Sequence, residues 1–510
     1  MQGSLLDAAM MVFNPATLIQ IFLAVCLGIV FGIIPGLTAT LAVILLIPIT
    51  YGMDPVTGIS ILIALYIGGI SGGVVSAVLL GMPGTPSSIA TSWDGFPLAQ
   101  QGYGTKTLKA GIISNMVGTL VSWLFLIFLA SEIANIALKF KSVEYVSVLI
   151  FGFVTVIALS GDSWLKGLIG CILGLVLCTI GTDPITGVVR NTFGFNQLLG
   201  AGLDPTPAMI GMFVVAEVII TLTPGKRDGN IPQLDIHDRS IRTFTLTEVK
   251  GSLWNMIRSA LIGVGIGILP GLGGNIACVV AYERQKKSAK DPETYGKGNI
   301  QGVIASETAN NATIGGAMIP MLALGIPGDI VTAALIGGLM LHGLQPGPLL
   351  FVDNPAFVNG IYISFGVSTL IMFAVMYIAS GTILPKLLLV PKQYLMPIVL
   401  IACTVGCYNL NYNLSDMWIT LFFGILGVVF TRFGIPTTPV IISMILGRMF
   451  ESHLRTAIQD TRGSILPFFT QPISLLFILM TVGSSYFAWR KNREVRRRYA
   501  EAMAAKESQG

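Results

Sequence analysis

Charge is scarce in this 510-residue chain: Asp, Glu, Lys and Arg make up only 11% of it, against about 25% in an ordinary soluble domain. Too few polar groups are present to cover a water-exposed globule of that size. A soluble enzyme, a disordered protein and a nucleic-acid-binding domain are thereby excluded. Histidine is sparse as well, with His237, His342 and His453 scattered along the chain and no HExxH pair for a zinc site. No nucleophile elbow or Walker A loop occurs, and Gly104-Thr-Lys106-Thr lacks the P-loop spacing. The sequence thus offers no ATP-binding motif of its own. Cys26, Cys171, Cys178, Cys278, Cys403 and Cys407 all lie in apolar segments and read as small buried hydrophobes. Residues 1–20 contain no Lys or Arg, so the basic start of a signal peptide is missing. The first helix is expected to be retained, with the N-terminus outside.

What the chain has instead is apolar sequence: 53% hydrophobic residues and 59 glycines, the latter well above the usual ~7%, with a mean hydropathy of +0.79. Apolar stretches long enough to span a bilayer recur throughout. An all-α polytopic membrane protein is expected. Arg490, Lys491, Arg493, Arg496, Arg497, Arg498 and Lys506 crowd the end, beside the apolar segment 468–489. The positive-inside rule puts this tail in the cytoplasm.

The chain is written twice. Gly28-Ile-Val-Phe-Gly32-Ile-Ile-Pro35-Gly36-Leu37 answers to Gly263-Val-Gly-Ile-Gly267-Ile-Leu-Pro270-Gly271-Leu272. Asp54-Pro55-Val-Thr57 answers to Asp291-Pro292-Glu-Thr294, and Leu80-Gly81-Met-Pro83-Gly84 to Leu324-Gly325-Ile-Pro327-Gly328. Thr206-Pro207 with Met212 answers to Thr438-Pro439 with Met444. Four matches in the same order define an internal repeat. The expected layout is a first repeat over 1–225, a cytoplasmic linker over 226–252 and a second repeat over 253–462. A final transmembrane helix over 463–490 and a basic cytoplasmic tail over 491–510 complete it.

Charge also orients the halves. The loop 282–299 carries Arg284, Lys286, Lys287, Lys290 and Lys297, whereas its counterpart 49–57 has no basic residue. Conversely, 102–109 carries Lys106 and Lys109, while 343–359 has neither Lys nor Arg. Equivalent loops on opposite faces are the signature of inverted-topology repeats. Lys386, Lys392, Arg448, Arg455 and Arg462 fit this scheme poorly. With the linker and the 282–299 loop on one side, residues 252–283 must enter and return, turning at Pro270-Gly271-Leu-Gly-Gly-Asn275. The fold expected is thus two inverted repeats with interrupted helices and re-entrant hairpins, plus a C-terminal helix.

Each half offers two Pro-Gly interruptions. In the first, Pro35-Gly36 precedes Thr38 and Thr40, and Pro83-Gly84 precedes Thr85, Ser87 and Ser88. A helix N-terminus with added hydroxyl donors suits a carboxylate. In the second, Gly271, Asn275 and Gly328 are the corresponding substrate-side candidates. Ser306-Glu307-Thr308-Ala-Asn310-Asn311-Ala-Thr313 precedes an apolar run. An acid there is costly unless functional, so Glu307, Asn310 and Asn311, with Asp329 as a second acid, are candidates for binding Na⁺ or carrying a proton. Glu217 is as readily structural. No cofactor is expected.

The paired Gly-x3-Gly-x2-Pro-Gly-Leu signatures, the stretch Gly81-Met-Pro-Gly-Thr-Pro-Ser-Ser88 and the following Ile-Ala-Thr-Ser-Trp-Asp94-Gly95-Phe-Pro-Leu-Ala-Gln resemble the large membrane (permease) subunit of tripartite tricarboxylate transporters. The resemblance runs from about Asn14 to Tyr486. It implies a bacterial inner-membrane importer of citrate-like or other organic carboxylates, coupled to Na⁺ or protons. It also implies a small membrane subunit and a periplasmic solute-binding protein as partners, and assigns the four Pro-Gly motifs to the transport core. A mobile core moving against a scaffold is the mechanism expected. The second half has Gly273-Gly274-Asn275 where the first has Thr38-Ala39-Thr40, which leaves open whether both tips touch substrate or one serves the ion. A carboxylate channel and an intramembrane enzyme remain as alternatives, although no catalytic dyad is evident.

Overall fold

Several helices start by one local device, a capping Asn or Asp followed by proline. Asn14 accepts the Ala16 N–H at 3.0 Å before Pro15. Asp54 accepts those of Val56 and Thr57 at 3.0 and 3.2 Å before Pro55, and Asp204 that of Thr206 at 2.7 Å before Pro205. Proline costs nothing at the first helical position, where its missing N–H has no partner anyway, and the cap satisfies the donors that follow.

The computed structural model describes residues 2–159, 164–183, 185–194, 202–223, 243–270, 273–388, 390 and 392–486. Gly271, residues 226–242 of the linker and the tail 491–510 lie outside them. The first half runs through α1 (Gln2–Val12), α2 (Pro15–Ile33), α3 (Ala39–Thr50) and α4 (Pro55–Leu80). A 3-10 turn at Pro86–Ser88 leads into α5 (Ile89–Leu98), and a π turn at Ala99–Tyr103 joins it to α6 (Gly104–Ala137). Next come α7 (Ser142–Leu159), α8 (Trp164–Leu177) and a short hairpin of β1 (Gly181–Thr182) and β2 (Val189–Arg190). Then α9 (Pro205–Met209) continues through a π stretch, Ile210–Val215, into α10 (Ala216–Leu222).

The second half contains α11 (Leu246–Ile268), α12 (Gly273–Ser288), α13 (Ile300–Leu324) and α14 (Ile330–Leu341). After α15 (Pro348–Asp353) and α16 (Pro355–Ala379) come α17 (Ile383–Leu387) and α18 (Lys392–Asn411). The last are α19 (Leu414–Phe433), α20 (Thr437–Asp460), α21 (Leu466–Thr470) and an apolar helical stretch, Pro472–Tyr486. Six helical stretches among the described residues are long and apolar enough to cross a membrane. Large apolar side chains such as Phe22, Phe128, Leu165, Trp254 and Trp418 stand exposed along the helices, as a lipid-facing surface requires. The chain is an all-α polytopic membrane protein.

The helices form two units, and each unit draws on both halves of the chain. One comprises 1–138 and 218–413, the other 139–217 and 414–510. In the first, α4 and α13 are buried along almost their whole lengths. The helix that carries the repeated glycine signature in each half packs on its own buried helix, α2 on α4 and α11 on α13, while α6 packs on α13 and α16 on α4. The Gly-x3-Gly signature is the seam of the first pairing. A Cβ at Gly28 would lie 2.5 Å from the Leu65 carbonyl, and one at Gly32 or Gly263 would collide with the carbonyl of Gly69 or Ala309. Small residues allow this backbone approach. Both buried helices end the same way, at Gly81 (φ 67°) and Gly325 (φ 73°) in the left-handed region, which glycine enters without strain.

The second unit shows the same exchange between halves. Helix α8 lies on α20, and α19 lies on the π stretch Ile210–Val215. Gly174 and Gly211 make these crossings possible, since a Cβ on either would collide with the carbonyl of Val440 or Thr420. One sequence match does not carry into equivalent elements. Asp54-Pro55 starts the buried helix α4, whereas Asp291-Pro292 forms only a 3-10 turn. The cap of the equivalent helix α13 is Asn299, which accepts the Gln301 N–H at 2.9 Å.

Candidate functional site

All four helix interruptions lie in the first unit. At the first, Gly36 takes φ 92° and is exposed, Pro35 and Thr40 are half-buried, and Thr38 caps α3 by accepting the Leu41 N–H at 3.2 Å. At the second, Thr85, Ser87 and Ser88 are buried and linked, with Thr85 Oγ1 at 3.2 Å from both serine hydroxyls. Pro83 is half-buried, and Gly84 is buried where a Cβ would collide with the Gly32 carbonyl. In the second half, Asn275 is exposed in the first turn of α12. Gly328 is buried, and a Cβ there would meet Ala317 Cα at 2.5 Å.

Ser306, Glu307, Thr308, Asn310 and Asn311 of α13 are fully buried. Glu307 Oε1 accepts the Thr91 hydroxyl at 2.5 Å, and Thr91 also meets Ser306 Oγ at 2.9 Å. Ser88 and Asn115 approach the same carboxylate. Asn311 is held at both ends: its oxygen accepts the Ser71 hydroxyl at 2.7 Å, and its Nδ2 donates to the Glu307 carbonyl at 3.2 Å. Asn115 Nδ2 donates to the Ser71 carbonyl at 3.2 Å. The network thus spans α4, α5, α6 and α13. The tip of the second half reaches it too. A Cβ on Gly274 would lie 2.5 Å from Asn310 Oδ1 and 2.8 Å from Ser87 Cβ, so tip, amide and hydroxyl cluster meet at one point.

Asp329 sits one step away. It caps α14, accepting both the N–H and the hydroxyl of Thr332 at 2.8 Å, and its other oxygen accepts the Tyr66 hydroxyl from α4. A Cβ on Gly273 would lie 3.6 Å from Asp329 Cβ. The fold therefore brings together Thr85, Ser87 and Ser88 with Glu307 and Asn310, and sets Asp329 on the far side of the second tip. Among the described residues, no hydrogen bond joins Pro35, Gly36, Thr38 or Thr40 to this network.

Several participants are not among the residues singled out from the sequence: Tyr66, Ser71, Thr91 and Asn115, each an uncharged polar group on a largely apolar helix. Asp94 is another. Wholly buried, its Oδ1 accepts the N–H groups of Gly296, Gly298 and Asn299 at 2.7, 2.9 and 2.9 Å, and its Oδ2 the Tyr282 hydroxyl at 2.9 Å. It pins the turn that starts α13, and so fixes where Glu307 stands. Its signal in the sequence was an acid in an otherwise apolar Trp-Asp-Gly-Phe stretch.

Buried hydroxyls and amides thus stand beside the Glu307 carboxylate on interrupted helices, and comparison with known proteins gives the family. A family model described as "Tripartite tricarboxylate transporter TctA family" matches residues 18–442. The chain belongs to this family. It is also 33% identical over 461 residues, 90% of its own length and 91% of the relative's, to an Agrobacterium vitis protein named "Uncharacterized 52.8 kDa protein in TAR-I ttuC' 3'region". A second A. vitis protein, "Uncharacterized protein in TAR-II ttuC' 3'region", is 36% identical over 209 residues, 41% of this chain and 86% of that one. No solved structure matches. For a member of the TctA family the buried network of the first unit is the candidate transport site, and the matched region contains every residue in it.

Proposed function

We propose that the chain is the ion-coupled permease of an importer of organic carboxylates, either a citrate-like tricarboxylate or a related di- or tricarboxylic acid. It would work in the bacterial inner membrane with a periplasmic solute-binding protein and a small membrane subunit, its N-terminus periplasmic and its C-terminus cytoplasmic. The observation that carries this reading is the meeting of Thr85, Ser87 and Ser88 at a helix break with Glu307 and Asn310. Hydroxyls at a helix start offer donors to an anion without a full opposing charge. A carboxylate with amides in the same buried place offers oxygen to a cation. Family membership supplies the transport class; Na⁺ or a proton is the coupling ion.

The reciprocal packing of the halves in each unit supports two repeats, 1–225 and 253–462, and the distribution of basic loops supports their inversion. Concentration of all four breaks in one unit suits a division into a substrate-carrying core and a scaffold. The test is uptake of labelled citrate-like acids into proteoliposomes with the partner subunits supplied, under a Na⁺ gradient, a proton gradient or neither. Accumulation under one of the two gradients is expected. No uptake of any carboxylate under either would falsify the reading.

A further inference from the structure

The buried network is closed almost everywhere. Asn311, Asp329, Thr91 and Ser306 all have partners for their side-chain oxygens. Among the described residues, the atoms of the network left without a hydrogen bond are Glu307 Oε2, Asn115 Oδ1 and both ends of the Asn310 amide, on side chains that are 0% exposed. Native proteins rarely leave buried polar atoms unpaired, and a charged one least of all. These atoms also share a place. Glu307 and Asn310 are three residues apart on α13 and so face the same way. The Asn115 amide reaches the Glu307 carboxylate from α6 with its NH2 as the donor, which leaves its Oδ1 one amide width away. One turn earlier on α6, a Cβ on Gly111 would lie 3.8 Å from Glu307 Cγ.

We infer that Asn115, Glu307 and Asn310 are the side-chain ligands of one monovalent cation, for which Na⁺ is the fitting ion. Three oxygens and no sulfur or imidazole select a hard cation. A single carboxylate in a water-excluded setting is neutralised by a single positive charge, so a monovalent ion leaves no net charge buried. Asn311 and Asp329 hold the surrounding helices instead, because their own hydrogen bonds are already made. The remaining unpaired group, the Asn310 Nδ2, is a donor and cannot hold a cation. The Asn310 Oδ1 is the amide atom that faces the point where Gly274 meets Ser87, so the cation site borders the hydroxyl cluster proposed for the substrate carboxylate. That adjacency links the two binding events, and such linkage is reciprocal.

This assignment rests on the importer reading for the use made of the ion, but the binding itself is measurable without any carboxylate. The full chain is purified into nanodiscs, and its unfolding temperature is followed as NaCl replaces choline chloride at constant ionic strength. A saturable rise with Na⁺ is expected. Asn115→Ala and Asn310→Ala should raise the half-effect concentration at least tenfold, and the isosteric Glu307→Gln should abolish the response. Asn115→Asp adds a second carboxylate and should create a response to CaCl₂ that the unaltered chain lacks; this gain decides the matter if the alanine variants fail to fold. A wild-type half-effect in Asn115→Ala, a stabilisation that follows pH and ignores Na⁺, or a folded Asn115→Asp indifferent to Ca²⁺ overturns the assignment. Na⁺ binding without carboxylate uptake would overturn the importer and leave this site standing.

Discussion

At the scale of single residues, the site is held by hydrogen bonds that cross from one half of the chain to the other. The Thr91 hydroxyl on α5 donates a hydrogen bond to Glu307 on α13. Thr91→Val keeps the shape and leaves a second carboxylate oxygen bare, at a cost of about 1–3 kcal/mol or more for a charged group. A lowered unfolding temperature is expected, and an unchanged one would show that the bond does not form. Asp94→Ala should be worse. It strands three backbone N–H groups and the Tyr282 hydroxyl, a loss above about 3 kcal/mol, measurable by thermal unfolding of the purified chain. Glu307, Asn310 and Asn311 were legible in the sequence, because an acid and two amides in apolar surroundings need a reason. Asn115 and Thr91 were not. An amide or hydroxyl on a largely apolar helix looks like a packing detail until the fold shows what it faces, and Thr91 meets Glu307 from 216 residues away in the chain.

At the scale of elements, the Gly-x3-Gly-x2-Pro-Gly-Leu signature proves to be two devices in tandem. Its first glycines are the seam on which α2 and α11 lie against the buried helices, and its Pro-Gly ends the helix. The seam makes a paired prediction within α11. Gly263→Ala drives a methyl into the Ala309 carbonyl and should destabilise by about 1–3 kcal/mol. At Gly265 nothing lies within 4 Å, so Gly265→Ala should stabilise by about 0.5–1 kcal/mol through the reduced freedom of the unfolded chain. Unfolding temperatures that move in the same direction would contradict the seam. The helix breaks themselves were legible, since proline and glycine act locally. Equivalence of Asp54 with Asp291 was not, because a capping motif looks the same whether a helix or a single turn follows it; only packing shows that Asn299 plays the part of Asp54.

At the scale of the whole molecule, the two units are made by exchange between the halves, a feature no local pattern reveals. A repeat in the sequence shows that two similar pieces exist, and the division at 138–139, 217–218 and 413–414 depends on which helices meet. The second unit carries its own charge network outside the apolar spans. Asp183 pairs with Arg190 and Arg455 at 3.1 and 2.8 Å, and Glu451 pairs with both arginines. The Ile185 N–H, together with the Thr186 N–H and Arg455, pulls the Asp183 carboxyl down to about 2, burial opposing them. A folded-state value below the unfolded one of ~3.9 means that this stabilisation is complete above that value and is lost as the pH falls through about 2. Acid unfolding between pH 4 and 2 should therefore be shallower in Asp183→Asn than in the unaltered chain, and equal slopes would remove Asp183 from the account of acid stability.

The central claim, that this TctA-family chain couples carboxylate entry to a cation held at Glu307, is tested most directly by one flux measurement. Proteoliposomes carrying the permease with its partner subunits are given a labelled tricarboxylate and an inward Na⁺ gradient, with the unaltered chain and Glu307→Gln side by side. Accumulation above the external concentration by the unaltered chain, collapsing to equilibration or less in Glu307→Gln, is the expected result. Gradient-driven accumulation that persists undiminished in Glu307→Gln would contradict it.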